Sequence, residues 1–219
     1  MDLAQRRIAM HIPDGFLDPK TWIGASAISA AALAGALAMR RKEGQAERQI
    51  PVMGMLAAFI FVAQLINFPL VGGTTAHLSG GALAAILLGP ATAIIVMTTV
   101  VAVQCLFFLG GGVTALGANI LNMAVVAPLV AYGTYRGITM LVRGRAGRTA
   151  GVFLAAWLSV VMAAVVAAGQ LALSGTVQLK VVMPAMTGWY AVIGVVEGLI
   201  TVVVVSFVQA MGMGTGRRM

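Results

Sequence analysis

The amino-acid sequence predicts an all-α integral membrane protein with about seven transmembrane helices. Hydrophobic residues make up 60% of the 219 residues and charged residues only 9%, whereas a soluble domain carries roughly 25% charged residues. The mean hydropathy is +0.99. Most apolar runs approach the ~20 residues of a membrane-spanning helix and exceed the ~10 of a transmembrane β-strand. We therefore expect one membrane-embedded domain over residues 10–219, preceded by a short extension at residues 1–9.

Seven apolar segments carry this prediction, and they cover residues 22–39, 52–68, 78–88, 91–109, 116–135, 150–173 and 186–211. The third is shorter than a full span, which predicts a tilted or partly buried helix. Between the segments we expect solvated basic loops at 40–48 and 136–148 and a polar loop at 174–180. In the first segment Ala30, Ala34 and Ala38 recur every four residues, a spacing that lets a second helix approach closely.

The basic residues predict which side of the membrane each loop occupies. Ten of the fourteen Lys and Arg lie in the loops 40–48 and 136–148 and in the C-terminal tail, and the other four are Arg6, Arg7, Lys20 and Lys180. Cytoplasmic loops are enriched in Lys and Arg. We therefore expect the C-terminus in the cytoplasm and the N-terminus outside, on the same side as the loop that contains His77.

The same charge placement argues against nucleic-acid binding, despite a formal net charge of +8. The single cysteine, Cys105, lies inside an apolar run and is expected to be a small packing residue. Residues 1–9 do not resemble a secretory signal peptide, because Pro13, Asp14 and Gly15 follow where an apolar core is needed.

The chain contains two histidines, His11 and His77, and both fall in glycine-containing loops. A hairpin of two helices between them would return the chain to the side where it began, so we expect both imidazoles at one face of the membrane. Neutral imidazole is a ligand for Ni, Co, Cu and Zn. Further ligands would have to come from Asp14, from Thr74 or Thr75, or from backbone nitrogen. The alternative is structural, with each histidine capping a turn or a helix.

Several motifs resemble, in the same order, the cobalt/nickel substrate-binding permeases (CbiM and NikM type) of energy-coupling factor transporters. They are MHIPDGFL at 10–17, GGTTAH at 72–77, TALGAN at 114–119, NMA at 122–124 and EGLIT at 197–201. The resemblance implies a seven-helix protein that captures Ni²⁺ or Co²⁺ outside the cell as its transported substrate, with no cofactor of its own. It also implies three kinds of partner: a transmembrane coupling protein, cytoplasmic ATP-binding subunits and a small accessory membrane protein.

The resemblance further implies a metal site made of Met10, His11 and His77. The ligands carried over are the terminal amine of Met10, the backbone nitrogen and imidazole of His11, and the imidazole of His77. Four nitrogens in a plane suit Ni²⁺. The sequence departs from the family in having nine residues before Met10, Gly110 in place of the usual aspartate, and Tyr190 where members often have histidine. Because the implied site needs a free amine at Met10, we expect the functional chain to begin at that residue.

Glu197 is the only carboxylate inside a predicted span, where a charge is costly and usually functional or paired. It could support the site loops or couple to transport. The interpretation we favour from the sequence is a buried acid bonded to an amide on a neighbouring helix, with Gln64, Gln104 and Gln170 as candidates.

Three function classes remain open on the sequence. The leading one is metal capture for an ATP-driven uptake system, and the chain has no phosphate-binding Gly-x-x-x-x-Gly-Lys-[Ser/Thr] loop, so the hydrolysis of ATP would fall to partners. An ion-coupled secondary transporter would need a site near the membrane midplane and usually internal repeats. An intramembrane enzyme is weakened by the absence of a His-Glu-x-x-His motif or paired intramembrane carboxylates.

Overall fold

A computed structural model describes residues 11–43, 46–66, 68–69 and 75–211, and within these ranges it contains seven helices. They are α1 (Pro19–Glu43), α2 (Ala46–Leu65), α3 (Gly81–Leu88), α4 (Pro90–Phe108), α5 (Leu116–Leu141), α6 (Gly144–Leu173) and α7 (Leu179–Ala210). Two short strands, β1 (Phe68–Pro69) and β2 (Thr75–Ala76), pair antiparallel between α2 and α3. The predicted all-α class and the number of helices are confirmed.

Five of these helices are long and apolar enough to cross a membrane, namely α1, α4, α5, α6 and α7, and α2 adds a shorter apolar stretch at Ile50–Leu65. The predicted basic loop at 136–148 is wrong, because α5 continues to Leu141 and α6 begins at Gly144. Residues 40–43 and 46–48, expected in a loop, are also helical. In both places the helices continue past their apolar stretches into basic sequence, which the end of the hydrophobic pattern does not reveal.

The first helix begins at a helix-capping motif, Asp18 followed by Pro19. Asp18 Oδ1 accepts a hydrogen bond from the Thr21 amide at 3.2 Å, and Pro19 is the first helical residue. This is an aspartate N-cap followed by proline at the first position of the helix, where the missing N–H costs nothing. The cap fixes the point at which the segment that carries His11 passes into α1.

The third helix is short because the chain before it is held outside helical geometry. Gly80 has φ +74°, and a Cβ at this position would collide with the side chain of Ile60. The helix therefore starts at Gly81 rather than at Leu78, where the apolar run begins. The expectation that this helix is partly buried is confirmed, since all but two of its eight residues are buried.

The most extensive contacts in the described chain join α6 to α7 and α5 to α6. Trp157 on α6 donates its Nε1–H to the Ala191 carbonyl of α7 at 2.9 Å. Asn122 and Gln170 join α5 to α6 by two reciprocal amide hydrogen bonds of 2.9 and 3.0 Å, and both side chains are buried. Asn122 lies in a π-helical stretch of α5 (Leu121–Val126), a distortion that often marks functional regions.

Candidate metal centre

The structure brings the two histidines together at one end of the helix bundle. The Nε2 atom of His77 lies 3.0 Å from the Nδ1 atom of His11, and the ring centroids are 4.8 Å apart. The Nδ1 atom of His77 is 2.9 Å from the carbonyl oxygen of Leu78. Because a carbonyl can only accept, Nδ1 carries the hydrogen of the neutral ring and the lone pair of Nε2 points toward His11.

Burial keeps both rings uncharged. Removal from water, with a smaller contribution from the neighbouring His77, lowers the pKa of His11 from 6.5 to about 3. Burial also lowers the pKa of His77, whose side chain is 4% exposed. A metal ion binds imidazole through a lone pair, so both rings are ready to act as ligands at neutral pH without first losing a proton.

The distance between the facing nitrogens suits two ligands of one ion. Metal–imidazole bonds are about 2.0–2.1 Å long, and two such nitrogens at a right angle about the ion are therefore about 2.8–3.0 Å apart. Across a square plane the separation would be about 4 Å. The observed 3.0 Å matches adjacent corners of a square plane and leaves two corners for other donors.

The described side chains do not supply those donors. They contain no group of three or more His, Cys, Asp or Glu placed to hold a metal ion. Met10, Thr74 and the side chain of Thr75 lie outside the part of the chain that the structure describes. The Met10 amine and the His11 backbone nitrogen therefore stay predictions.

Asp14, one of the ligands considered from the sequence, binds the loop before α5. One carboxylate oxygen accepts hydrogen bonds from the Thr114 hydroxyl and amide at 2.5 and 2.8 Å, and the other accepts one from the Val113 amide at 3.1 Å. The bond from the Thr114 hydroxyl contributes most to lowering the pKa of this exposed carboxylate. Asp14 thus joins the His11 segment to the loop before α5. A side chain at Gly112 would collide with Asp14.

The residue after His11, Ile12, is held by a second side chain, Asn119, which is buried. Its Oδ1 atom accepts the Ile12 N–H at 2.8 Å and its Nδ2 atom donates to the Ile12 carbonyl at 3.1 Å. The Gly112 amide donates to the same carbonyl at 3.0 Å. Both Ile12 and Asn119 are buried. These three bonds fix the backbone beside His11 and hence the position of its ring.

Glu197 anchors the loop that carries His77. Its two carboxyl oxygens accept the N–H groups of Ser79 and Gly80 at 2.7 and 2.8 Å, and the side chain is 2% exposed. Gln64 supports the same turn by donating to the Ser79 carbonyl at 2.5 Å. The structure thus contradicts the interpretation that we favoured from the sequence, an amide partner for Glu197, and shows the alternative, support of a site loop.

Two further residues complete the surroundings of the histidine pair. The Gln104 side chain, on α4, lies near His11 and acts to raise its pKa, against the larger effect of burial. Thr176, from the loop between α6 and α7, donates its hydroxyl to the Phe16 carbonyl. Sequence reasoning missed both roles. The signal available was polarity alone, since Gln104 is the one amide side chain in a mostly apolar helix.

The match to known proteins covers nearly all of the described chain. The family described as the cobalt uptake substrate-specific transmembrane region, CbiM, matches residues 11–213. The chain belongs to this family. As a CbiM family protein with five helices long enough to span a bilayer, it is a multi-pass membrane protein.

Individual relatives are bacterial and archaeal. The chain is 44% identical over 203 residues to a putative fused nickel transport protein, NikMN, of Archaeoglobus fulgidus, covering 92% of this chain and 66% of that one. It is 40% identical to a putative metal transport protein of Haloquadratum walsbyi, with 92% and 90% covered. It is 32% identical to the cobalt transport protein CbiM of Lachnoclostridium phytofermentans, with 90% and 80% covered.

The fold of this CbiM family protein is also that of solved structures. A crystal structure of a truncated transition metal transporter superposes with a TM-score of 0.84 at 33% identity, covering 92% of this chain and 99% of that one. The chain spans about two thirds of the length of the fused nickel transport relative and most of the unfused ones.

Proposed function

We propose that this chain is the substrate-specific membrane component of an energy-coupling factor transporter that takes up Ni²⁺ or Co²⁺. Family membership supports a transport component. The observation that supports a metal ion as the substrate is the pair of neutral imidazoles of His11 and His77, whose facing nitrogens are 3.0 Å apart.

The proposed site holds the ion with four nitrogens: the amine of Met10, the backbone nitrogen and Nδ1 of His11, and Nε2 of His77. Binding would require the hydrogen of the His11 ring to reside on Nε2, because Nδ1 must offer its lone pair to the ion. The Nε2 atom is buried and has no hydrogen-bond partner among the described residues. Gln104 interacts with the His11 side chain, and its Oε1 atom also lacks a hydrogen-bond partner among the described residues, so we expect this oxygen to accept that hydrogen when the ion binds.

The proposed site opens to the outside of the cell, and the basic residues of the opposite end face the cytoplasm. The chain lacks a phosphate-binding loop, so the hydrolysis of ATP belongs to partner subunits. For the coupling protein we propose the α1 surface that carries Ala30, Ala34 and Ala38, since all three side chains are exposed and small residues at this spacing allow close helix packing. A small accessory membrane protein completes the proposed set of partners.

The ligands are tested by titrating the purified chain with Ni²⁺ and, separately, Co²⁺. His11→Ala and His77→Ala should each abolish tight binding, because each removes one of the two imidazoles. Lys20→Ala, an exposed change at the same end of the bundle, should bind as the unchanged chain does. Wild-type affinity in either histidine variant would show that the site lies elsewhere.

The transport system is tested separately by uptake of radioactive Ni²⁺, with Co²⁺ as competitor. Cells that produce the chain with its coupling protein and ATP-binding subunits should accumulate the ion, and cells with ATPase-inactive subunits should not. Uptake that persists without active ATPase would favour an ion-coupled transporter instead. The relative effect of Co²⁺ on Ni²⁺ uptake identifies the preferred substrate.

A further inference from the structure

A cavity of ≈280 Å³ lies between the first turns of α6 and the last turns of α7. These ends point away from the histidines, because the α6–α7 connection at the other ends of the two helices contacts the His11 segment through Ser174 and Thr176. The polar side chains that line the cavity are Arg145, Arg148, Thr149, Ser206 and Gln209.

The positive charge of this cavity is not balanced by the described part of the chain. The structure describes the side chains of three acidic residues, and each is bonded elsewhere. Asp14 binds the loop before α5, Asp18 binds Thr21 and Ser174, and Glu197 binds the loop that carries His77. Arg145 and Arg148 are both exposed and are one turn apart on the same helix face.

An apolar groove continues from the cavity along the outer surface of α6 and α7. Arg145, Thr149 and Val202 line both, and the groove adds Ala146, Ala150, Phe153, Leu154 and Leu199. The ten residues from Arg145 to Leu154 extend about 14 Å along α6. A ligand that fits both parts must carry a compact anionic group joined directly to an extended apolar chain.

We propose that this surface binds an anionic phospholipid, with the phosphate between Arg145 and Arg148 and an acyl chain along the groove. Arginine binds phosphate through paired N–H donors, and the Thr149 and Ser206 hydroxyls can donate to the remaining oxygens. The cavity is smaller than most small-molecule pockets, which hold about 300–1,000 Å³, and suits a headgroup rather than a whole lipid. Basic pockets between helices on the cytoplasmic side bind such headgroups, which agrees with the orientation proposed above.

Two other occupants complement this surface less well than a lipid. Residues 212–219, which the structure does not describe, carry Arg217 and Arg218 and no acidic side chain, so this segment does not complement the cavity. A free phosphate would need the arginines but would leave the groove without a role. An acidic helix of the coupling protein is the remaining alternative, and the experiment separates it from a lipid.

The test measures lipid retained by the full chain. Delipidated protein in detergent is given equal amounts of phosphatidylglycerol and phosphatidylcholine, and bound lipid is counted by native mass spectrometry. We expect preferential retention of phosphatidylglycerol. The double variant Arg145→Gln/Arg148→Gln should lower this retention by about tenfold or more, as expected when two contacts to the phosphate are lost. The matched control Arg41→Gln/Arg143→Gln removes the same charge outside the cavity and should stay within about twofold of wild type.

A second variant tests the groove. Ala150→Trp leaves the charges in place but obstructs the acyl path, and it should also lower phosphatidylglycerol retention. Glycerol 3-phosphate, which lacks acyl chains, should not raise the melting temperature of the wild-type chain at concentrations where phosphatidylglycerol does. Equal stabilisation by both would indicate a phosphate site and overturn the proposal. Unchanged lipid retention in the Arg145/Arg148 variant, together with lost assembly with the coupling protein, would instead show a protein interface.

Discussion

Replacing Glu197 by glutamine tests whether this carboxyl group positions the second histidine. Both Glu197 oxygens accept backbone N–H groups, from Ser79 and Gly80. A glutamine offers one acceptor oxygen and turns its NH₂ group toward the second N–H, so one bond is lost and one buried donor is left unsatisfied. Together these effects cost about 2–4 kcal/mol. The value applies without discount for solvent because Glu197 is 2% exposed.

The effect should extend to metal binding, because Ser79 is two residues from His77. Residues that orient a metal ligand through hydrogen bonds typically contribute about 10–100-fold to affinity, and we expect a loss of this size for Ni²⁺ in Glu197→Gln. The assay is Ni²⁺ titration of the purified chain, together with its thermal unfolding without metal. Glu197→Asp keeps both acceptors on a shorter side chain and should fall between wild type and Glu197→Gln.

The matched control is Ser159→Ala. It removes a buried hydroxyl that bonds only to its own helix, through the Ala156 carbonyl at 2.8 Å. This variant should lose some stability and no Ni²⁺ affinity. If Glu197→Gln also keeps wild-type affinity while unfolding at a lower temperature, Glu197 supports the fold alone and the reasoning about the His77 loop is refuted.

Three further predictions concern pH, assembly and the N-terminus. The metal-free chain should lose stability as the pH falls from about 6.5 toward 3. The histidines of the unfolded chain take up protons in this range, whereas the pKa of His11 in the folded chain is about 3. Thermal unfolding between pH 7 and pH 4 measures this loss, and a melting temperature that does not change with pH would contradict it. Ala34→Leu should impair uptake but not Ni²⁺ binding, because Ala34 is exposed on α1 and is not one of the proposed ligands. Undiminished uptake would exclude this surface as the coupling contact. Mass spectrometry of the protein made from its native gene should find Met10 at the N-terminus, and Ni²⁺ titration should show tight binding only in that form; equally tight binding by a chain that keeps residues 1–9 would exclude the Met10 amine as a ligand.

The helices could be predicted because burial in lipid demands long apolar runs, and such runs are visible in the sequence. Their ends could not be predicted at the basic side. Only Val142 and Arg143 lie between the end of α5 at Leu141 and the start of α6 at Gly144, although basic residues continue on both sides of this break. The π-helical stretch around Asn122 also has no signature, because it depends on how α5 packs against its neighbours.

The meeting of His11 and His77 could be predicted from topology, since an intervening helical hairpin returns the chain to the same end. The supports of the two loops could not. Asn119 and Glu197 are conspicuous as polar groups in apolar sequence, but their partners are backbone groups of Ile12, Ser79 and Gly80. A backbone N–H is present at almost every residue and therefore leaves no pattern by which the sequence could identify the partner.

The reciprocal bonds between Asn122 and Gln170 restrict how this protein can change shape. An axial slip of one helical turn moves a helix by about 5.4 Å, which would separate the donors and acceptors of both bonds, now 2.9 and 3.0 Å long. Two amides in an apolar interior would then lack partners, at a cost that grows with their burial. Piston-like sliding between α5 and α6 is therefore disfavoured, and these two helices are expected to travel as one block in any conformational cycle.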